Sequence, residues 1–369
     1  MIRMTWAAHA KWAPVRRCNA RVAYYRVAYY IAAVLAAVVP LVVAVAPAPA
    51  ETVPRAADVY GHFGPEGPRL REQLWILPSA DHAYPLRATV FRPADTPDGE
   101  TGTARHPLVV INHGTSDATR LAVAMPVYYW LSRWFVEHGY VVVLPQRRGH
   151  GATAGPLAES IGTCADPDHL RSGLAAADDI QGAVDYMSEQ PFVAPGEAVV
   201  VGISSGGWAS LALASRNPDN VRAVINIAGG RGGRPFGQRV DTVCGETRLI
   251  EAARTFGRTA RAPTLWLYAA NDSYFRPALA RAMASAWHAG GGEAELHVFP
   301  AYGSDGHNLA DDRAGWDIWG GTVENFLTRS RGKAPVAVLD PEPHQSLESG
   351  SGNVSPVATV ASDGATRAP

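Results

Sequence analysis

Residues 199–208 read Val199-Val200-Val201-Gly202-Ile203-Ser204-Ser205-Gly206-Gly207-Trp208, and the reading of the whole chain turns on them. An apolar run enters a Gly-x-Ser-x-Gly pattern, and an alanine-rich stretch of helical character follows. If the run is a buried strand, Ser204 occupies a tight strand-to-helix turn that lifts its hydroxyl clear of the sheet. The small glycines on either side let strand and helix pass closely, as in a nucleophile elbow. The pattern alone is weak in a chain with 36 glycines, so its surroundings must carry the reading.

Outward from this turn, short apolar runs alternate with helical patterns. Residues 86–92 alternate as an early strand, and 93–106 form a turn region rich in Pro, Asp, Thr and Gly. Residues 108–111 are continuously apolar, as in a strand buried on both faces of a parallel sheet, and end in Asn112-His113-Gly114-Thr115. An aromatic-rich helical stretch, 119–138, stops at Gly139. Strand 140–144 is closed by Pro145 and leads into Gln146-Arg147-Arg148-Gly149-His150-Gly151. An excursion over 152–171 precedes a helix over 172–189, where Leu174, Ala177, Ile180, Val184 and Met187 share one face. After the Ser204 turn the pattern predicts helix 206–216, strand 221–228, strand 263–270, helix 277–289, strand 295–299 and helix 312–328. Residues 51–73 read as loop. This alternation is the sequence form of an α/β domain: a doubly wound, mostly parallel sheet flanked by helices, with right-handed crossovers.

Composition narrows the classes further. The chain of 369 residues is 47% hydrophobic with net charge -1, which gives no reason to expect a nucleic-acid partner. Lys11, Arg16, Arg17, Arg21 and Arg26 precede an apolar stretch, 27–46, broken by Pro40 and followed by Ala48-Pro49-Ala50. That is the form of an export signal over 1–50, and membrane contact is expected only if the segment is retained as an anchor. The domain then spans 51–330, and the Pro-, Ser- and Gly-rich residues 331–369 are expected to be disordered. Cleavage would leave Cys164 and Cys244 as an even pair in an oxidising compartment, where a disulfide is the natural expectation.

A serine hydroxyl attacks a carbonyl only with an adjacent base, an orienting carboxylate and two donors for the oxyanion. On a doubly wound sheet these groups converge in loops at the carboxyl ends of strands. Asp272 follows strand 263–270 and His307 follows strand 295–299, so both lie on the required edge in the order Ser, Asp, His. Asp272 could instead cap the turn before Pro277, and Asp305 reads as a turn residue beside His307. The backbone N–H groups of Ser205 and Thr115 are the candidate oxyanion donors. His113 reads as a structural histidine or pocket wall. Arg147, Arg148 and Arg231 could meet a substrate carboxylate or simply satisfy loop groups.

These residues resemble the α/β-hydrolase superfamily, in particular its dienelactone-hydrolase-like and prolyl-oligopeptidase-like esterase branch. The resemblance spans about residues 86–326 and rests on His113-Gly114-Thr115, Arg148-Gly149-His150-Gly151, the Ser204 turn, Asn271-Asp272 and Gly306-His307. It implies an eight-stranded-type sheet, Ser204 as nucleophile, His307 as base and Asp272 as its orienting acid. Gln146 stands where the branch often has an acidic residue. Residues 229–262 leave room only for a minimal lid, and a Cys164–Cys244 bridge would tie two walls of the site. The expected protein is an exported serine hydrolase of small-molecule esters needing no metal or organic cofactor. A peptidase for short peptides and a non-catalytic binding module on the same fold are the alternatives.

Overall fold

The computed structural model describes residues 59–94, 104–115, 120–196, 198–235 and 239–331. The segment read as an export signal, 1–50, and the tail beyond residue 331 lie outside the described residues. Among the described residues nine strands form one sheet in the order β1-β2-β3-β5-β4-β6-β7-β8-β9. They are β1 (Gly61–Phe63), β2 (Gln73–Leu77), β3 (Leu86–Phe91), β4 (Leu108–Asn112), β5 (Val141–Gln146), β6 (Ala198–Ile203), β7 (Val221–Ile227), β8 (Thr264–Ala269) and β9 (Ala294–Phe299). The pairs β1–β2, β2–β3 and β3–β5 are antiparallel, and the rest of the sheet is parallel. Among the described residues six α-helices flank it: α1 (Tyr129–Glu137), α2 (His169–Ser188), α3 (Ser205–Ala214), α4 (Glu246–Gly257), α5 (Pro277–Gly290) and α6 (Trp316–Ser330).

The central strands are predominantly apolar because both faces are covered. In β4, Leu108 and Val110 join the core beneath α2, α3, α4 and α5, while Val109 and Ile111 join the core beneath α1 and α6. Val110 pairs with Val200 and Val200 with Val224, so the register carries one apolar layer across three strands. This register brings the carboxyl ends of β4, β6, β7, β8 and β9 to one edge, where the loops of interest emerge. Among the described residues no helix is long and apolar enough to cross a membrane.

The structure departs from the sequence reading in several elements. β2 lies just past the segment read as loop: Gln73, Trp75 and Leu77 are buried and Leu74 is exposed. A buried glutamine disguises the two-residue period; it donates to the Gly64 carbonyl and accepts from Trp75 Nε1. With β1, it makes nine strands rather than eight. The helix expected over 119–138 is only α1, preceded by Pro126 and by Tyr128 at φ 32°. Proline disfavours helix at the residue before it. β5 continues through Pro145 to Gln146; its pairing with β4 ends at Val143, so the missing proline N–H leaves no ladder bond unmade there. In the stretch 229–262, α4 buries Leu249, Ala253 and Phe256 in the same core as α2, α3 and α5. It is part of the flanking layer and not a cap.

Candidate active site

Ser204 sits between β6 and α3 at φ 54° and ψ −122°, a conformation L-residues rarely adopt. Its backbone is pinned from both sides. The N–H donates to Ile227 O at 3.1 Å, and the carbonyl accepts from Trp208 N and Gly230 N, each at 3.1 Å. Two glycines are required by close approach. A Cβ on Gly202 would lie 2.2 Å from Gly206 O, and one on Gly206 would lie 2.2 Å from Asn112 O. Holding such a residue costs about 1–3 kcal/mol, and this strain is characteristic of functional positions.

Asp272 follows β8 and is buried. Its Oδ1 accepts from Tyr274 N at 2.8 Å and Phe275 N at 2.9 Å, so it does close the turn before α5. The same carboxylate meets His307 Nδ1 at 3.1 and 3.2 Å. The turn role and the partner role are therefore one arrangement, in which backbone donors aim the carboxylate at the imidazole. With Nδ1 held by a carboxylate, the ring proton resides there and Nε2 is left as the basic nitrogen.

His307 lies in the short turn Gly306–Asn308 after β9. Asp305 accepts from His307 N at 3.0 Å, Ser273 N at 3.0 Å and Ser273 Oγ at 2.6 Å. Burial would raise its carboxyl, but these hydrogen bonds hold it below the usual carboxylate range. The turn residue thus fastens the His307 loop to the Asp272 loop. Tyr274 stacks on the His307 ring at 4.2 Å, and Phe275 lies 5.8 Å away. A Cβ on Gly230, which donates to Ser204 O, would come within 2.5 Å of the Phe275 ring, so the Ser204 turn and the His307 surroundings form one cluster. Among the described residues the Ser204 hydroxyl makes no hydrogen bond, to His307 or otherwise. Such contacts often tighten only when substrate is bound.

The oxyanion loop differs from expectation. Thr115 N–H donates to Ser205 Oγ at 3.0 Å, and Gly114 N–H donates to the Tyr128 hydroxyl at 3.1 Å. Thr115 therefore does not present its amide directly to a bound carbonyl, because the hydroxyl at the first turn of α3 takes it. Tyr128 was not among the residues singled out from sequence, since an aromatic in an apolar stretch carries no sign of such a bond.

His113, Arg147 and Arg148 are not placed to meet a substrate. They are buried, and each is held by partners within the protein. Arg147 Nε and Nη2 donate to Glu159 at 2.6 and 3.2 Å, and Nη1 donates to His113 O at 2.9 Å. His113 Nε2 accepts from Arg147 N at 3.2 Å. Arg231 reaches the same Glu159 at 3.5 Å. Arg148 donates to Asp179 from Nε at 2.6 Å and from its backbone N at 2.9 Å. Gln146 holds its loop by donating to Val123 O and accepting from Thr153 N. The arginine-rich loop is thus a foundation beneath the site. Burial would raise the Glu159 carboxyl, but Arg147 and Arg231 hold it well below the usual range.

The same burial, with Arg147 and His150 nearby, pushes the His113 imidazole well below its ordinary value; burial also lowers His150 and His169. In the unfolded chain each takes up a proton near about pH 6.5. Acid therefore favours unfolding: stability is unaffected above that pH and falls below it, by about 1.4 kcal/mol per pH unit for each histidine that stays neutral when folded. Thermal denaturation between about pH 7.5 and about pH 5.5 is expected to show a falling Tm, with a shallower fall in His113→Gln.

Cys164 and Cys244 form a disulfide with Cα atoms 4.8 Å apart and a sequence separation of 80. It joins the excursion after β5 to the loop after β7, and His169 Nε2 is bonded to Cys244 O at 2.8 Å beside it. Closing so long a loop restricts the unfolded chain, so the Cys164→Ser/Cys244→Ser variant is expected to lose roughly 2–4 kcal/mol in urea denaturation. An unchanged midpoint would show that the bridge contributes nothing. Among the described residues no group of three or more His, Cys, Asp and Glu side chains is placed to hold a metal ion.

A mixed sheet with a strained serine after β6 and an Asp–His pair after β8 and β9 defines an α/β-hydrolase. The chain belongs to the dienelactone hydrolase family, whose sequence profile matches residues 124–328, more than half its length. Ser204, Asp272 and His307 lie within the matched stretch, and His113 and Thr115 lie upstream of it. Among solved structures the chain resembles an acetyl xylan esterase from Paenibacillus sp. R4 at TM-score 0.50 and 14% identity, over 73% of this chain and 87% of that one. It also resembles Est1E from Butyrivibrio proteoclasticus at TM-score 0.46 and 15% identity, over 70% and 99% of the two chains. A third is an acylaminoacyl peptidase from Pyrococcus horikoshii at TM-score 0.49 and 17% identity, over 72% of this chain and 42% of that one. At these identities the likeness is one of fold. No curated protein matches the sequence.

Proposed function

We propose that this hydrolase is an exported serine esterase acting on small carboxylic esters through an acyl-enzyme. The observation that carries the reading is the strained Ser204 at the carboxyl end of β6, on the sheet edge that also holds the hydrogen-bonded Asp272–His307 pair. Ser204 Oγ attacks the ester carbonyl while His307 Nε2 takes its proton; the new Oγ–C bond forms and the π pair moves to the carbonyl oxygen. Asp272 keeps the Nδ1–H tautomer and stabilises the imidazolium. The intermediate collapses, the C–O bond breaks, and His307 gives its proton to the departing alkoxide. Water then repeats the sequence on the acyl-enzyme, with His307 again the base. The Cys164–Cys244 disulfide supports export, because such bonds persist in oxidising compartments.

A fluorophosphonate probe tests the assignment. Stoichiometric labelling of the folded protein at Ser204, located by peptide mass spectrometry and lost on denaturation, is the expected result. A folded protein that does not react is a non-catalytic scaffold. Hydrolysis of p-nitrophenyl acetate but not of the matching anilide separates the esterase from the peptidase reading.

A further inference from the structure

Ser205 follows the candidate nucleophile and opens α3. Its side chain is buried, and its Oγ accepts the Thr115 N–H at 3.0 Å. Among the described residues the proton of this hydroxyl meets no acceptor. A buried hydroxyl that accepts without donating is half satisfied, and its free donor is available to an oxygen that arrives later.

Gly114 locates that oxygen. A Cβ on Gly114 would stand 2.8 Å from Ser204 Cβ and 3.5 Å from Ser204 Oγ. The peptide bearing the Thr115 amide therefore lies against the nucleophile, and Ser205 Oγ sits where that peptide meets the first turn of α3. The Ser205 backbone N–H opens α3 and, like the first amides of any helix, has no partner within it.

We propose that the Ser205 hydroxyl is itself an oxyanion donor, completing a relay from Thr115 N–H through Ser205 Oγ–H to the carbonyl oxygen. This rests on Ser204 being the nucleophile. The Ser205 side chain and its own N–H together hold the oxygen, and the Thr115 amide acts at one remove. Donation from Thr115 into Oγ polarises the O–H bond and strengthens it as a donor, the cooperative effect of hydrogen bonds in a chain. The hydrogen bond is strongest once the Ser204 Oγ–C bond has formed and the π pair has moved to oxygen, so it favours the transition state over bound ester. No proton leaves Ser205: the one displaced from Ser204 goes to His307.

The test compares wild type, Ser205→Ala and Ser205→Thr on p-nitrophenyl acetate, with a trifluoromethyl ketone as mimic of the tetrahedral intermediate. Ser205→Ala is expected to lose about 10^2-fold in kcat with little change in KM, and to bind the ketone about 10^2-fold more weakly. Ser205→Thr keeps the hydroxyl and is expected to recover much of both. If Ser205→Ala does not fold, Ser205→Cys, which offers only a weak donor, carries the same expectation. A Ser205→Ala enzyme with kcat and ketone affinity at or above wild type overturns the proposal, since the freed Thr115 amide would then be the donor. That outcome leaves the esterase reading intact; a wild type inert to ester, ketone and fluorophosphonate overturns both.

Discussion

Replacing Ser204 by alanine is expected to lower kcat on a p-nitrophenyl ester by a factor on the order of 10^5 to 10^6 and to leave the thermal midpoint essentially unchanged. The size follows from the chemistry: without Oγ there is no acyl-enzyme, and only substrate positioning and the oxyanion donors remain. Stability is preserved because alanine has the same backbone strain at φ 54°, and the three backbone hydrogen bonds that pin the residue do not involve its side chain. Asp272→Asn is expected to cost on the order of 10^4, since an amide no longer fixes the Nδ1–H tautomer of His307. Steady-state kinetics on purified protein, beside a thermal melt, reads both. Residual turnover in Ser204→Ala within about tenfold of wild type would remove Ser204 from the mechanism.

The second large effect is on stability. Glu159→Leu leaves the buried Arg147 guanidinium without its carboxylate. Removing one partner of a buried ion pair typically costs about 3–5 kcal/mol, because the remaining charge is desolvated and uncompensated. In a domain of this size that lowers Tm by on the order of 10 °C. Changing both partners, in Glu159→Leu/Arg147→Met, is expected to restore much of the loss, because apolar side chains need no compensating charge. A Glu159→Leu protein melting with wild type would show that the network carries little net stability. Arg147 also donates to the His113 carbonyl, so the double variant gives up that hydrogen bond while the single variant keeps its donor.

What could be read in advance was what depends on residue type, order and period. The run ending at Ile203 is continuously apolar because β6 is covered on both faces, and that continuity is visible in one dimension. The order Ser204, Asp272, His307 follows from each residue lying just after a strand, so the pattern of strands was enough to put all three on one edge. Cys164 and Cys244 could be paired because two cysteines remain after the first fifty residues. Gln73 shows where such reading stops: a buried polar residue breaks the period, and β2 disappears from view.

Contacts between distant residues were decided only by the folded chain. Arg147 and Arg148 look alike beside each other in sequence, and nothing local reveals that one meets Glu159 and the other Asp179 of α2. Asp305 looked like a turn residue and is also the fastener between two loops, because β8 and β9 lie side by side. The strand-to-helix turn was legible from Gly202 to Gly206, but the direction of the Thr115 amide was not. Its choice of Ser205 Oγ over open space depends on how β4 and β6 are registered and how the Gly114 peptide lies against Ser204. Sequence alone determined which residues could do chemistry; hydrogen-bond direction, which acts over ångströms and joins residues far apart in the chain, was set by the tertiary structure.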